Sequence, residues 1–218
     1  MGKIIFATGN AHKMVEIRMI LADLGMEILS QKEAGIQADV VEDGSTFEEN
    51  AMIKATEIAK IVRQMPEYAD AIVMADDSGL EIDYLNKEPG IYSARYMGED
   101  TSYDIKNQTL LDRLDGVEDA KRTARFVCAI AAAFPDGSTE AVRGTMKALS
   151  DTRLQERTDL VMIQSFIYRN MDVPVQNLRR KRKMNLVIVV KDFGKCVRSL
   201  KHVMRLSRLS NRRDRLYI

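Results

Sequence analysis

The chain has 218 residues, of which 45% are hydrophobic and 30% are charged, as is ordinary for a soluble globular protein. This length predicts one domain, or one domain with a lobe, and no apolar run is long enough to cross a bilayer. The N-terminus leads straight into a strand-like run rather than a signal peptide. The two cysteines, Cys128 and Cys196, form neither a disulfide framework nor a metal-binding spacing. We therefore expect a cytoplasmic protein with no membrane association.

The net charge of +1 conceals a sharp division along the chain. Residues 147–218 hold 18 Lys and Arg against 6 Asp and Glu, whereas residues 1–146 hold 15 against 26. A change of sign at a single point marks a boundary that needs an explanation. We therefore divide the chain into a domain at residues 1–146 and a basic tail at residues 147–218.

Hydrophobic periodicity predicts strands and helices that alternate through the first 146 residues. Thr46 and Glu49 are spaced as a capping box, in which each side chain accepts from a free donor at the start of a helix. The mixture of elements predicts an α/β fold with some antiparallel pairing. The predicted elements are strands at 3–7, 26–29, 71–75, 80–84, 123–134 and 139–144, helices at 12–24, 46–64 and 102–114, a polar connection at 36–43, and turns at 88–90 and 135–138.

The first motif with chemical potential is Ala7-Thr8-Gly9-Asn10-Ala11-His12-Lys13, directly after an apolar run. A strand, a Thr-Gly-Asn turn and a helix place backbone N–H groups at a helix N-terminus, where free donors and the helix dipole attract phosphate. Gly9 allows close backbone approach, Thr8 and Asn10 add donors, and Lys13 can reach a phosphate as a point charge. The alternative is a plain strand–turn–helix in which Asn10 caps the helix and Lys13 is solvated.

The second motif is Ala75-Asp76-Asp77-Ser78-Gly79, which also follows an apolar run. We expect it to form a turn outside the sheet, with Asp76 and Asp77 pointing in opposite directions and serving different roles. One carboxylate would bind a metal or water while the other bonds to local backbone, and Glu42 or Asp43 could supply a further carboxylate. Mg²⁺ usually takes one or two protein carboxylates together with substrate phosphates and waters. The alternative is a polar turn without chemistry.

Taken together, these residues resemble the inosine triphosphate pyrophosphatase family, the non-standard purine nucleoside triphosphate pyrophosphatases. The resemblance covers residues 2–146 in order. It implies Mg²⁺-dependent hydrolysis of ITP, dITP and XTP to the monophosphate and pyrophosphate. It also implies a homodimer and an elongated, twisted mixed β-sheet flanked by helices, with two lobes and a cleft between them. The matching stretches are Ala7–Lys13 with Glu16, Gly44–Ala55, Ala75–Leu80, Pro89–Asp100, Lys106-Asn107 and Arg125-Phe126.

The resemblance further implies roles for individual residues. Asp77 would be the general base that activates water and also a metal ligand, Glu42 a second metal ligand, and Ser78 a substrate contact. The metal would neutralise charge on the triphosphate while the positioned carboxylate prepares water for in-line attack at phosphorus. For His12 the alternative is an exposed residue at the helix start. The phosphate-binding residues would be Thr8, Gly9, Asn10, Ala11, His12 and Lys13.

The resemblance stops after Met146. The family continues with a Gly-Phe-Gly-Tyr-Asp-Pro stretch that shapes the base pocket and later with Ser-His-Arg-Gly, and neither is present in the sequence. Residues 155–164, back-translated with codons chosen within the genetic code and read from one base upstream, give AGENGFGYDP. Residues 177–195 treated in the same way permit a peptide that contains SHRG. We therefore predict that one base was lost near codons 146–147 and that residues 147–218 are an out-of-frame, disordered or non-native segment.

Two other functions fit parts of the sequence. The basic run at residues 179–183 and the arginine-rich end could neutralise phosphates, which would make the chain an inactive remnant with a nucleic-acid-binding tail. An out-of-frame origin explains that charge better. The first two motifs also permit a Mg²⁺-dependent pyrophosphatase of other nucleotides, because they contact phosphate and metal rather than the base. Without its purine pocket, the exact chain is expected to have much reduced pyrophosphatase activity.

Overall fold

The computed structural model describes residues 2–148, and this part of the chain forms a five-stranded mixed sheet with helices on both faces. In the sheet, β1 runs parallel to β2 and β3, whereas β4 is antiparallel to β3 and β5. The predicted α/β fold with a mixed, helix-flanked sheet is confirmed. The elements are β1 (Lys3–Phe6), α1 (Ala11–Leu21), β2 (Glu27–Ser30), α2 (Phe47–Val62), β3 (Ile72–Ile82), α3 (Tyr103–Arg113), β4 (Ala124–Ala133) and β5 (Thr139–Ala148), with the sheet order β2-β1-β3-β4-β5.

The alternation of side chains along β3 separates two cores on opposite faces of the sheet. Val73 is fully buried in the core that contains Ile58 of α2, whereas the adjacent Met74 is fully buried in the core that contains Ile17 of α1. Burial of each such side chain stabilises the fold by about 1.5–3 kcal/mol. Because successive strand residues point to opposite faces, consecutive residues further along β3 also face different helices.

The start of α2 follows the predicted capping pattern in part. Thr46 is the N-cap, and its hydroxyl accepts a hydrogen bond from the Glu49 N–H at 3.1 Å. The reciprocal bond is displaced by one residue, because the Glu49 carboxylate accepts from the N–H of Ser45 at 2.7 Å rather than from that of Thr46. The hydroxyl of Ser45 also donates to this carboxylate and lowers the pKa of Glu49. The helix start was therefore predicted correctly and the donor of the second bond was not.

The stretch Asp76–Gly79 is not a turn outside the sheet, and that prediction is wrong. β3 continues through it, with Asp76 opposite Ile130 and Asp77 opposite Ala129 on β4. The backbone groups that face the partner strand are paired along the whole length of β3 and β4, so polar side chains do not end the strand. The predicted strands at 71–75 and 80–84 are a single strand.

One edge of β3 opens into a cleft at the same stretch. The pairing of β1 with β3 extends only as far as Met74. The Ala7 N–H donates to the Met74 carbonyl at 2.7 Å, and the chain then turns away into α1. Further along, the loop after Pro89 covers this edge, and its Ser93 hydroxyl accepts from the Leu80 N–H at 2.9 Å. Beyond that point a third core packs α3 against β3 and β4. The stretch Ala75–Gly79 therefore lies between two packed parts of the described chain.

Other elements differ from prediction mainly at their ends. The helix predicted at 12–24 is α1 followed by a 3-10 turn at Ala22–Leu24, and the hairpin predicted at 135–138 joins β4 to β5. β5 extends beyond the predicted end at Gly144, through Met146 to Ala148. None of the helices in the described part has the length and apolar character needed to span a membrane. The strand-like runs at 160–167 and 186–190, and the tail after 148, lie outside the described residues.

Replacement of Gly79 by alanine is expected to destabilise the protein by about 1–3 kcal/mol, the usual cost of overpacking a core. A Cβ at this position would lie 2.5 Å from the Gly90 carbonyl oxygen and 2.9 Å from a ring carbon of Phe47. Urea unfolding followed by circular dichroism measures the effect. Gly9→Ala is the matched control, since a Cβ there meets no atom within 4 Å. Equal unfolding midpoints for the two variants would contradict this account of Gly79.

Candidate active site

The loop that joins β1 to α1 forms the strand–turn–helix expected from the sequence. The Thr8 hydroxyl accepts from the Asn10 N–H at 3.2 Å, and the Asn10 side-chain oxygen accepts from the Lys13 N–H at 3.1 Å. Asn10 therefore caps α1, as the simpler interpretation required. A Cβ on Gly9 would meet no atom within 4 Å, so the space above its backbone is open. These features leave a helix N-terminus with an open approach at the cleft.

Lys13 reaches across the cleft to β3. Its ammonium lies 2.5 Å from Oδ2 of Asp76, whose side chain is only 2% exposed. Burial acts to lower the pKa of Lys13, but the Asp76 carboxylate outweighs it and the net shift is upward. The Ser78 hydroxyl also donates to Asp76 Oδ2, at 3.3 Å. Lys13 is therefore held as a cation on the α1 side of β3, beside Ser78, and is not simply solvated.

Asp77 lies on the α2 side of β3, as the alternation of side chains predicts. Its Oδ1 accepts from the Ser78 N–H at 2.8 Å, and its Oδ2 accepts from the Asn50 side-chain amide at 3.0 Å. Burial is the main cause that raises the pKa of Asp77 to about 6, and the negative charge of Glu42 adds to it. The Asn50 hydrogen bond and the charge of Lys54 oppose this rise. A carboxylate with such a pKa is well suited to exchange protons near neutral pH.

Glu42 and Lys54 complete the charged groups on the α2 side. The Lys54 ammonium lies 2.6 Å from Oε1 of Glu42 and donates to the Asp76 carbonyl oxygen at 3.2 Å. That carbonyl belongs to the edge of β3 that β1 has left. Arg95 donates to the Glu42 carbonyl oxygen at 3.2 Å and so ties this segment to the loop after Pro89. The site therefore straddles one strand edge, with Lys13 on one face and Lys54 on the other.

The donor set around Asp77 fits a divalent cation of the magnesium type. Glu42 and Asp77 are two carboxylates close enough for the charge of one to raise the pKa of the other, an arrangement that a cation relieves. Mg²⁺ needs only one or two protein carboxylates when substrate phosphates and waters provide the remaining ligands. Across residues 2–148, the side chains of His, Cys, Asp and Glu form no cluster of three or more arranged to hold a metal by themselves. These residues therefore fit a metal ion that is also coordinated by the phosphates of a bound substrate.

Most of the residues singled out in the sequence meet at this cleft. Thr8, Gly9 and Asn10 form the loop, and Ala11 and His12 occupy the first turn of α1. No role was predicted from the sequence for Asn50 or Lys54, although both lie in the matching stretch Gly44–Ala55, and the partner of Asp76 was not predicted. One signal was available, because Asn50 and Lys54 fall at helical spacing from Phe47 and Ile58 on the apolar stripe of α2. A buried amide and a lysine on such a stripe require partners. The residues brought together are Thr8, Gly9, Asn10, Lys13, Glu42, Asp77 and Ser78.

This arrangement defines an α/β protein with a helix N-terminus, two lysines and paired carboxylates at one cleft, a set suited to a phosphorylated, metal-bound ligand. The family comparison is consistent with that class. The model of the Ham1 family matches residues 4–152, more than half of the sequence. The chain belongs to the Ham1 family.

Individual relatives show the same similarity. A curated protein of Clostridium perfringens named dITP/XTP pyrophosphatase is 52% identical over 144 residues, which cover 66% of this chain and 70% of the relative. A protein of the same name from an Exiguobacterium strain is 38% identical over 198 residues, covering 91% of this chain and 94% of the relative. The solved structure of the Staphylococcus aureus Ham1 protein superposes with a TM-score of 0.59 at 39% identity, covering 67% of this chain and 71% of that one.

Proposed function

We propose that this fold hydrolyses non-standard purine nucleoside triphosphates, in the class of dITP, ITP and XTP, to the monophosphate and pyrophosphate. The observation that carries the proposal is the desolvated Asp77 carboxylate at the β3 edge that β1 has left, with Lys13 on one face of that strand and Lys54 on the other. The names of the similar proteins in Clostridium and Exiguobacterium support the choice of substrate.

In this proposal the loop residues and lysines bind the triphosphate and Asp77 activates water. The N-terminus of α1 attracts phosphate oxygens, and the open space over Gly9 lets them approach the backbone. Ser78 stands beside Lys13 at the same cleft and provides a hydroxyl to the substrate. With a pKa of about 6, Asp77 is mostly ionised at pH 7 and can take the proton of water. The water oxygen bonds to the α-phosphorus, the bond to the bridging oxygen breaks, and pyrophosphate leaves.

Glu42 and Asp77 are the residues that would hold Mg²⁺. When bound, the ion neutralises negative charge on the triphosphate and acts as a Lewis acid at its oxygens. Lys54, which neutralises Glu42 in this structure, would then be shared between Glu42 and the substrate. Titration of the protein with Mg²⁺ in the presence of a non-hydrolysable triphosphate, followed by calorimetry, tests whether cation and nucleotide bind together.

For the exact chain we infer impaired activity, because the family motifs that shape the base pocket are absent after Met146. Support comes from the family match, which ends at residue 152, and from the Clostridium relative, which matches over 144 residues. The match to the Exiguobacterium relative extends over more of the chain at lower identity. A homodimer and a cytoplasmic location are part of the same proposal, and sedimentation velocity tests the dimer directly.

The deciding experiment measures pyrophosphate and orthophosphate separately after incubation with ITP, XTP, dITP and GTP in the presence of Mg²⁺. We expect pyrophosphate as the inorganic product, slow turnover, and a preference for ITP and XTP over GTP wherever turnover is measurable. Release of orthophosphate would contradict the proposed reaction. Equal rates with all four nucleotides would favour a pyrophosphatase without base preference, which the phosphate and metal residues also permit.

Gly9→Ala is expected to raise KM for the nucleotide about tenfold, which corresponds to about 1.4 kcal/mol of lost binding. The added methyl group occupies space that this protein leaves empty, so it obstructs the phosphates rather than the fold. Steady-state kinetics with ITP and thermal unfolding are measured on the same preparation. An unchanged KM would place the triphosphate away from the loop before α1.

A further inference from the structure

A buried asparagine on α2, Asn50, joins Asp77 to the loop that follows Glu42. Asn50 is 1% exposed and lies in the first turns of the helix, on its apolar stripe. Asparagine is a poor helix former, and a buried amide is costly unless its polar atoms are hydrogen-bonded. A hydrophobic residue would fill such a position more cheaply. The presence of Asn50 here therefore depends on the partners of its amide.

Both polar atoms of the Asn50 side-chain amide form hydrogen bonds, and these partners determine which way the amide is oriented. The Gly44 N–H donates to Asn50 Oδ1 at 2.9 Å, and Asn50 Nδ2 donates to Asp77 Oδ2 at 3.0 Å. Because a backbone N–H can only donate, the atom that faces Gly44 must be the oxygen, and the NH₂ group then faces Asp77. Reversing the amide would break both bonds.

The two bonds join parts of the chain that each carry a carboxylate. Gly44 follows two residues after Glu42, and a Cβ on Gly44 would lie 2.8 Å from Asn50 Oδ1, so the loop approaches this closely only with glycine. At the other end, Asp77 is held through both oxygens, by Asn50 and by the Ser78 N–H. Asn50 thus sets the rotamer of Asp77 and the position of the segment after Glu42 together.

We propose that Asn50 is a positioning residue that acts through Asp77: its NH₂ group fixes the carboxylate in the orientation that receives the proton of water. This inference rests on the proposed function. The competing interpretation is a purely structural role, in which Asn50 only anchors the loop by accepting the hydrogen bond from the Gly44 N–H. The two roles make opposite predictions for aspartate at this position.

The substitution Asn50→Asp distinguishes the positioning role from the purely structural role. It keeps the oxygen that accepts from Gly44 and replaces the donor to Asp77 by a second carboxylate oxygen, which repels it. We expect kcat with ITP to fall about 10- to 100-fold, the cost of misplacing a catalytic group by about 1 Å, with KM within about twofold and a thermal midpoint lower by several degrees. Asn86→Asp is the matched control, an exposed asparagine beyond the end of β3, and should leave kcat, KM and the thermal midpoint unchanged.

A second variant tests direct contact without any measurement of turnover. In Asn50→Asp combined with Asp77→Asn, the hydrogen bond can form with donor and acceptor exchanged, so the thermal midpoint should rise above that of Asn50→Asp alone. Failure of this recovery, or normal kcat in Asn50→Asp, would overturn the proposal. If the recovery is seen while neither these preparations nor a version that continues after Met146 in the alternate reading frame releases pyrophosphate, the contact stands and the proposed function is what fails.

Discussion

Asp77→Asn is expected to lower kcat by about 10²- to 10⁴-fold, the range associated with loss of a general base. The asparagine keeps the size of the side chain but offers one acceptor oxygen to two donors, the Ser78 N–H and the Asn50 amide, so one bond is lost and the thermal midpoint should fall by several degrees. Its amide cannot take the proton of water. Pyrophosphate release under saturating ITP and Mg²⁺ measures the effect.

Asp115→Asn is the control for that experiment, since Asp115 is exposed after the end of α3 and carries the same chemical change. Its kcat should equal that of the starting protein. If Asp77→Asn retains full turnover, another group accepts the proton and the role given to Asp77 is wrong. If the variant loses nucleotide binding as well, Asp77 acts mainly through the metal rather than as a base.

Restoring the alternate reading frame after Met146 is expected to raise pyrophosphate release by about 10²-fold or more, because a complete base pocket orients the substrate for attack. The comparison is between the chain as written and a version that continues after Met146 in the frame encoding GFGYDP and SHRG. The reframed protein should also prefer ITP and XTP over GTP. Both proteins retain every described residue of the cleft.

Sequencing of the coding DNA around codons 146–147 is the companion measurement. The frameshift prediction requires that a neighbouring frame encode both missing motifs in order. If no frame does so, residues 147–218 are the intended C-terminal part. Equal activity of the chain as written would lead to the same conclusion. Retention of the chain on DNA in a salt-dependent manner, lost on truncation at Met146, would instead support the nucleic-acid-binding alternative.

Local signals in the sequence predicted the elements that position the loop before α1. The apolar run before Thr8 gave the strand, and Asn10 and Thr46 marked helix starts that the structure confirms. Such signals act over three or four residues, within the reach of capping and periodicity. The open turn expected at Asp76–Gly79 failed because strand pairing with β4, which is distant in sequence, overrides the local polarity.

The partners of the site residues could not be predicted for the same reason. The Lys13–Asp76 ion pair joins residues 63 positions apart, and the Asn50–Asp77 bond joins residues 27 positions apart. Neither separation corresponds to a helix or strand period that could be recognised in the sequence. What the sequence did supply was the side-chain alternation that sends Asp76 and Asp77 to different faces, and the structure confirms that separation. The residue types suited to the chemistry could be recognised from short motifs, whereas their hydrogen-bond and ion-pair partners depended on the tertiary fold.

The continuous pairing of β3 with β4 makes strand register part of how the candidate site is built. Val73–Ile82 pairs residue by residue with Ala124–Ala133, and a slip of one residue would send Asp77 towards α1 and Asp76 towards α2. Which aspartate serves as the proposed base thus depends on its odd or even position along the strand and not on the motif alone. A one-residue insertion or deletion at Ala75, which is not proposed to contact substrate, would exchange the faces of the two carboxylates and disable the site while leaving both aspartates in place.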